Sequence, residues 1–164
     1  MNALRRLGMG GAISSAAALA LLFLMFLQWY RVRYTSESNF LYYISLFSTD
    51  HDAWHALGTV SVVALSLVIA VTIGAAVARL ADLDRRFGAV VCLGGVLAAL
   101  VILYWIVSPP DLSGEMEEWA WSGTLKPPIF LALAAALGVA IGGWLELREQ
   151  AGVGARQLDL ESSP

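Results

Sequence analysis

Charged residues are scarce in this chain: they make up 14% of its 164 residues, whereas 59% are hydrophobic. An average soluble domain carries about 25% charged residues. The apolar residues also fall in long uninterrupted runs, so the composition excludes an ordinary soluble domain and predicts a membrane protein. No basic patch with interleaved aromatic residues is present, and the sequence therefore predicts no binding to nucleic acid.

The chain has a single cysteine, Cys92, in the middle of an apolar run. One thiol excludes an intramolecular disulfide and also the paired-cysteine chemistry of membrane thiol oxidoreductases. Cysteine is among the most buried residue types, so we interpret Cys92 as a small hydrophobic residue of a helix.

Four apolar runs lack Asp, Glu, Lys and Arg, and they cover residues 10–30, 54–78, 87–107 and 128–145. Each matches the roughly 20 residues that a helix needs to cross about 30 Å of hydrocarbon. The sequence therefore predicts an all-α membrane protein, an up-down bundle of four transmembrane helices within residues 1–148. Residues 31–53 and 108–127 are the predicted outer loops, and 149–164 the predicted disordered tail.

The distribution of Lys and Arg predicts cytoplasmic termini and a multi-pass protein of the cell membrane. The inner segments then carry Arg5, Arg6, Arg79, Arg85, Arg86, Arg148 and Arg156, whereas the outer loops carry only Arg31, Arg33 and Lys126. Tryptophan and tyrosine at the ends of the runs, among them Trp29 and Tyr30, are typical of rings at the lipid headgroup level.

No ionisable residue other than Cys92 lies deep within the four runs. Charged residues inside a membrane cost at least about 2.5–3.5 kcal/mol and are kept for a function. Together with the absence of paired Gly or Pro interruptions, this argues against an ion-coupled transporter or a proton pump.

Small residues at four-residue spacing predict close contacts between the helices. The second run has Ser66, Ala70, Gly74 and Ala78 on one face; the fourth has Ala134, Gly138 and Gly142, with Ala132, Ala136 and Ala140 nearby; the first has Ala12, Ala16 and Ala20; and the third pairs Gly94 with Ala98 and Gly95 with Ala99. An alternative is that alanine-rich helices produce such faces by composition alone.

The two outer loops differ in chemistry. The first begins with "RVRYTSES", whose alternation is typical of an exposed strand, and continues with the aromatic and aliphatic segment "FLYYISLF". The second combines three glutamates with two tryptophans in "GEMEEWAW", between two double prolines. Both could contact a partner, or lie at the membrane surface.

Two histidines and two aspartates cluster in "TDHDAWHALG", just before the second run. Asp50 or Asp52 is a good N-cap for a helix that begins there. Alternatively His51, Asp52 and His55 supply ligand types that fit an open zinc site, since residues four apart share a helical face.

The pair Trp29-Tyr30 after the first run and "DAWHALG" at the start of the second resemble small uncharacterised four-span bacterial membrane proteins. The resemblance implies a four-span fold and brings no activity, cofactor or site with it. We expect a non-enzymatic interaction or structural subunit that uses its outer loops. Its partners would be the lipid bilayer and either another membrane protein or a second copy of the chain. The alternative is a metal-binding protein or enzyme at the outer interface.

Overall fold

The computed structural model describes residues 2–34, 49–81, 87–108 and 121–161. Four long helices dominate these residues: α1 (Asn2–Met25), α3 (Thr59–Leu80), α4 (Gly88–Val107) and α5 (Pro127–Glu161). All four are long and apolar enough to cross a membrane, over Gly8–Met25, Thr59–Leu80, Gly88–Val107 and Pro127–Ala151. Among the described residues, the predicted number of helices that are long and apolar enough to cross a membrane is therefore confirmed.

Helix α5 is the centre of the bundle. Helices α1 and α4 both pack along it, and α3 packs mainly against α1, with a smaller contact to α4. The main core lies between these helices and contains Leu21, Leu65, Ile102 and Ile129, none of which is exposed.

A small antiparallel sheet covers one end of the bundle, in addition to the predicted helices. It consists of β1 (Gln28–Tyr34), β2 (Thr49–Asp52) and β3 (Trp121–Leu125), with β1 in the middle. One end of the sheet joins the helices, because β1 follows α1, β2 precedes the short helix α2 (Ala53–Ala56), and β3 precedes α5. The predicted strand character at the start of the first outer loop is confirmed for Arg31–Tyr34.

The ends of the helices differ from the predicted ends. Helix α1 stops at Met25 instead of residue 30, because Phe26 and Leu27 turn the chain into β1. Extended backbone at Leu57 and Gly58 separates α2 from α3, which begins at Thr59 instead of residue 54. The backbone of α5 is helical to Glu161, whereas the sequence predicted a disordered tail from residue 149. The segments 35–48, 82–86 and 109–120, which hold most of both outer loops and the inner turn, lie outside the described residues.

The predicted contact face of α3 is wrong. An added Cβ at Gly74 would meet no atom within 4 Å, and Ala70 is exposed. The buried face consists instead of Leu65, Val68, Ile69, Thr72 and Ala75. The face predicted for α1 is also wrong, since Ala16 and Ala20 are exposed while Ser14, Ala18 and Leu21 are buried.

The predicted contact through glycines of α5 is confirmed. A Cβ added at Gly142 would lie 2.5 Å from the backbone nitrogen of Ser14 in α1, and one at Gly138 would lie 3.0 Å from the Cβ of Ala17. On its other side α5 contacts α4, where a Cβ at Gly95 would lie 2.7 Å from the Cα of Ala140. These glycines allow two backbones to approach each other, which is how helices associate in lipid.

Candidate functional site

Two buried aromatic residues fasten the sheet to the helices. Trp29 is not exposed at all, and Tyr30 is 2% exposed. The Trp29 Nε1–H donates to the carbonyl of Leu24 at 2.7 Å, and the Tyr30 hydroxyl donates to the carbonyl of Trp105 at 2.8 Å. Both carbonyls lie in the last turns of their helices. The residue four positions after Trp105 is a proline, which has no N–H, whereas the Leu24 carbonyl also accepts from the Leu27 nitrogen at 3.1 Å. The first residues of β1 therefore cap the ends of α1 and α4.

Two further contacts complete this end of the bundle. The Trp105 Nε1–H donates to the Ser61 hydroxyl at 2.9 Å, which joins the end of α4 to the first turn of α3. Lys126 donates from Nζ to Gln28 Oε1 at 2.6 Å and from its backbone nitrogen to the Trp29 carbonyl at 2.9 Å. β1 thus contacts the ends of α1 and α4 and the residue before α5, and α4 is in turn joined to α3.

The structure corrects the predicted place of Trp29 and Tyr30 at the headgroup level. Because α1 ends at Met25, both residues belong to β1 and point into the end of the bundle. The prediction fits Tyr104 better, since its side chain is 60% exposed at the same end.

The hydroxyl of Tyr30 offers a direct test of this anchoring. Tyr30→Phe removes one buried hydrogen bond and should lower the free energy of unfolding by about 1 kcal/mol. Burial raises the pKa of Tyr30 from 10.0 to about 12. The unfolded chain therefore loses this proton first, so the wild type should lose stability as the pH rises from 10 towards about 12.

Thermal unfolding in detergent across this alkaline range measures both effects. Tyr30→Phe should lose less stability than the wild type as the pH rises, because the ionisable hydroxyl is absent. Tyr104→Phe, at an exposed ring, should behave like the wild type. The same alkaline loss in both variants would contradict the assignment to Tyr30.

Asp52 is an N-cap, as the sequence predicted, but it caps the short helix α2, whereas Gly58 is the N-cap residue of the long helix α3. Its Oδ1 accepts from the backbone nitrogen of His55 at 3.0 Å and lies 2.6 Å from His55 Nδ1. The His55 side chain is 77% exposed. His51 lies opposite Tyr30 in the sheet, and its side chain lies outside the described residues. Within the described part of the chain, no group of three or more His, Cys, Asp or Glu residues could hold a metal ion.

The opposite end of the bundle holds a buried ion pair between α3 and α5. The Arg79 guanidinium donates from its Nη2 to Glu146 Oε1, and the two side chains are only 13% and 5% exposed. Gln150 Nε2 donates to the same oxygen at 3.2 Å. Among the described residues, Glu146 Oε2 is buried without a hydrogen-bond partner.

A second carboxylate of α5 contacts α1. Glu149 Oε1 accepts from the backbone nitrogen of Gly10 at 3.3 Å. Gly8 has φ 69° and ψ 168°, so the α1 helix is kinked there, and a Cβ at this position would lie 2.7 Å from Glu149 Oε2. The nitrogen of Gly10 lies in the first turn after the kink, where backbone donors need an outside acceptor. Glu149 supplies it.

We call Arg79, Glu146, Glu149 and Gln150 the polar junction. A Cβ at Gly88, the first residue of α4, would lie 3.3 Å from Glu146 Cδ. The junction therefore places one carboxylate at the first turn after the kink of α1, one at the start of α4, and an arginine in the last turn of α3. Each charge has the sign that the helix dipole favours. The junction thus joins α5 to α1, α3 and α4.

The sequence reasoning missed the polar junction because it ended the fourth run at residue 145, one position before Glu146. A signal was present, since Glu146 follows Gly138 and Gly142 at four-residue spacing and so continues the face that contacts α1. Arg79 likewise stands directly after the second run, at position 79.

Comparison with known protein families, curated proteins and solved structures finds no match to this chain. The resemblance to small four-span bacterial membrane proteins therefore stays a prediction.

Proposed function

We propose that the chain is a multi-pass protein of the cell membrane that acts as a non-enzymatic interaction or structural subunit through its two outer loops. Membrane insertion is supported by the apolar outward faces of the helices: Phe23 is 68% exposed, Leu93 71% and Val60 84%. Faces of this kind suit lipid, whereas in water they would cause association.

The same proposal places both termini in the cytoplasm, on the side of the polar junction. Arg79 and Arg148 lie at that end, and Arg5, Arg6, Arg85 and Arg86 are close to it in sequence. Short loops on the cytoplasmic side of a membrane carry an excess of arginine and lysine.

Thiol labelling tests this orientation. In a Cys92→Ser background, a membrane-impermeant thiol reagent should label Tyr43→Cys in intact cells and spare Ala3→Cys. The reverse result would overturn the orientation.

The register of the sheet is the observation that carries the interaction function. Tyr34 lies opposite Trp121, and Val32 lies opposite Thr49. Residues 35–48 therefore leave and rejoin the sheet at the end where residues 109–120 arrive. The bases of both outer loops lie side by side, at the end of the sheet away from the helices.

The sheet gives these loops a fixed base. β1 is held at Trp29 and Tyr30 by their hydrogen bonds to the ends of α1 and α4, and by the hydrogen bond that the Trp29 carbonyl accepts from Lys126. A fixed base reduces the ordering cost that a loop pays when it binds. The loops themselves supply an aromatic and aliphatic segment and an acidic segment with tryptophans. Aromatic residues are enriched in protein interfaces, so a partner with an apolar patch and cationic groups fits this surface.

Photo-crosslinking in native membranes tests the proposal. A photoreactive amino acid at Tyr43 in one loop and at Trp119 in the other should capture the same protein, because the two loop bases are adjacent. The same group at Leu93, on the outward face of α4, should give lipid adducts only. Lipid and self adducts from all three positions would contradict a role in binding another protein.

Two substitutions in β1 connect this result to the sheet. Val32→Pro removes backbone hydrogen bonds of the central strand and should abolish capture from both loops. Val32→Thr keeps a β-branched residue and should preserve it. Capture that survives Val32→Pro would show that the loops bind independently of the sheet.

The pairing of Asp52 with His55 favours metal binding as a second candidate function. A carboxylate that holds Nδ1–H of a histidine leaves Nε2 free as a ligand, as in many metal sites. His55 would then be the ligand, Asp52 would orient it, and His51 would be the second ligand. Metal analysis of the purified wild type against His51→Ala with His55→Ala tests this; negligible metal in both samples would exclude it.

A further inference from the structure

A guanidinium stacked on a tryptophan stands on the outward face of α5. The Arg148 Cζ atom lies 4.1 Å from the centroid of the Trp144 ring. Trp144 is 46% exposed, and Arg148 is exposed as well. Within the part of the chain that the structure describes, the ring is the only partner of Arg148. The two nearby carboxylates have other partners: Glu146 pairs with Arg79, and Glu149 accepts from the Gly10 nitrogen.

The length of α5 sets the depth of this pair. Trp144 is 17 residues beyond Pro127 and Arg148 is 21 beyond it, because α5 begins at position 127. At about 1.5 Å per residue, these separations correspond to about 26 Å and 32 Å. If Pro127 lies at one edge of a hydrocarbon layer about 30 Å thick, Trp144 lies just inside the other edge and Arg148 just outside it. That is the level of the phosphate groups.

We propose that Trp144 and Arg148 form a binding site for the headgroup of an anionic phospholipid. The ring fixes the guanidinium through a cation–π contact and leaves its N–H donors at the edge free. Two parallel N–H donors match two phosphate oxygens, and a guanidinium sheds water more readily than an ammonium. A headgroup with a net negative charge is favoured, because no carboxylate among the described residues neutralises Arg148. This inference rests on the proposed insertion in a membrane.

Native mass spectrometry of protein reconstituted with equal amounts of phosphatidylglycerol and phosphatidylcholine tests the site. The wild type should retain phosphatidylglycerol preferentially. Arg148→Gln should lower the ratio of retained phosphatidylglycerol to phosphatidylcholine about fivefold, as expected for one arginine at an anionic surface. Arg148→Lys keeps the charge but loses the planar donors, and should give an intermediate ratio.

Two controls separate a site from general attraction. Arg156→Gln makes the same change of charge eight positions further along α5 and should leave the ratio unchanged. Trp144→Leu keeps an apolar side chain but removes the ring, and should lower the ratio although the charge is intact. An unchanged ratio in Arg148→Gln, or equal losses in Arg148→Gln and Arg156→Gln, would overturn the proposal.

The experiment also distinguishes this inference from the proposed function. Recovery of the protein without either phospholipid after reconstitution would overturn membrane insertion itself. Insertion with the same lipid ratio in all variants would overturn only the site at Trp144 and Arg148.

Discussion

Gly95→Ala should separate α4 from α5, whereas Gly74→Ala should leave the bundle intact or stabilise it. A methyl group at position 95 would lie 2.7 Å from the Cα of Ala140, and backbone atoms cannot turn away as a side chain can. Overpacking typically lowers the free energy of unfolding by about 1–3 kcal/mol, and we expect Gly95→Ala to lie at or above the upper end of this range. At position 74 a methyl group meets nothing within 4 Å, and alanine should stabilise the helix by about 0.5–1 kcal/mol over glycine.

Cys92 provides a readout within the contact between α4 and α5. A Cβ at Gly143 of α5 would lie 2.8 Å from the Cα of Cys92, so the backbone of this partly buried cysteine belongs to the contact that Gly95→Ala disturbs. The melting temperature in detergent should fall clearly for Gly95→Ala, and a thiol-reactive dye should label Cys92 faster. Equal melting and equal labelling of the two variants would contradict this arrangement of the helices.

Glu146→Ala should be the most harmful change in the polar junction, because it leaves the buried Arg79 guanidinium without its ion-pair partner. Removing one partner of a buried ion pair typically costs about 3–5 kcal/mol. Glu146→Gln keeps an acceptor for Arg79 and should cost less. Glu149→Gln, which changes an exposed carboxylate, should have the smallest effect.

The double substitution of Arg79→Met with Glu146→Met decides what the pair does. Replacing both charges with apolar side chains removes the cost of burying them, so the double variant should unfold at a higher temperature than either single variant. Thermal unfolding in detergent measures all the variants. A double variant less stable than Glu146→Ala would show that the ion pair has no counter-charge role in the folded protein.

The number of long helices could be predicted from the sequence, and so could the glycine contacts of α5, but the faces that α1 and α3 bury could not. In water, burial is read from the alternation of polar and apolar residues, and lipid removes that signal because every face is apolar. Gly74 and Gly95 look alike in sequence, each with a small residue four positions away. Only the path of the neighbouring helix places Gly95 in a contact and Gly74 outside one.

The candidate site was predicted in part. Asp52 as an N-cap follows from local chemistry, and the structure shows this cap, but on α2 and not on the long helix α3. The buried positions of Trp29 and Tyr30 depend on β1 pairing with β3, which is distant in sequence. The polar junction was missed because hydropathy ends a helix at its first charge, whereas α5 continues past Glu146 and pairs that charge with α3.

The central position of α5 has a consequence for biosynthesis. This helix is the last of the four long helices to leave the ribosome, yet it supplies the contacts along α1 and α4, the acceptor at Gly10 and the partner of Arg79. Before it emerges, the contacts that the structure shows for α4 are the smaller one with α3 and the hydrogen bond from Tyr30 to its last turn. A nascent chain that stalls before Pro127 would therefore expose loosely associated helices and an unpaired Arg79 to the insertion machinery and to membrane proteases. The bundle can reach its folded form only once α5 has been synthesised.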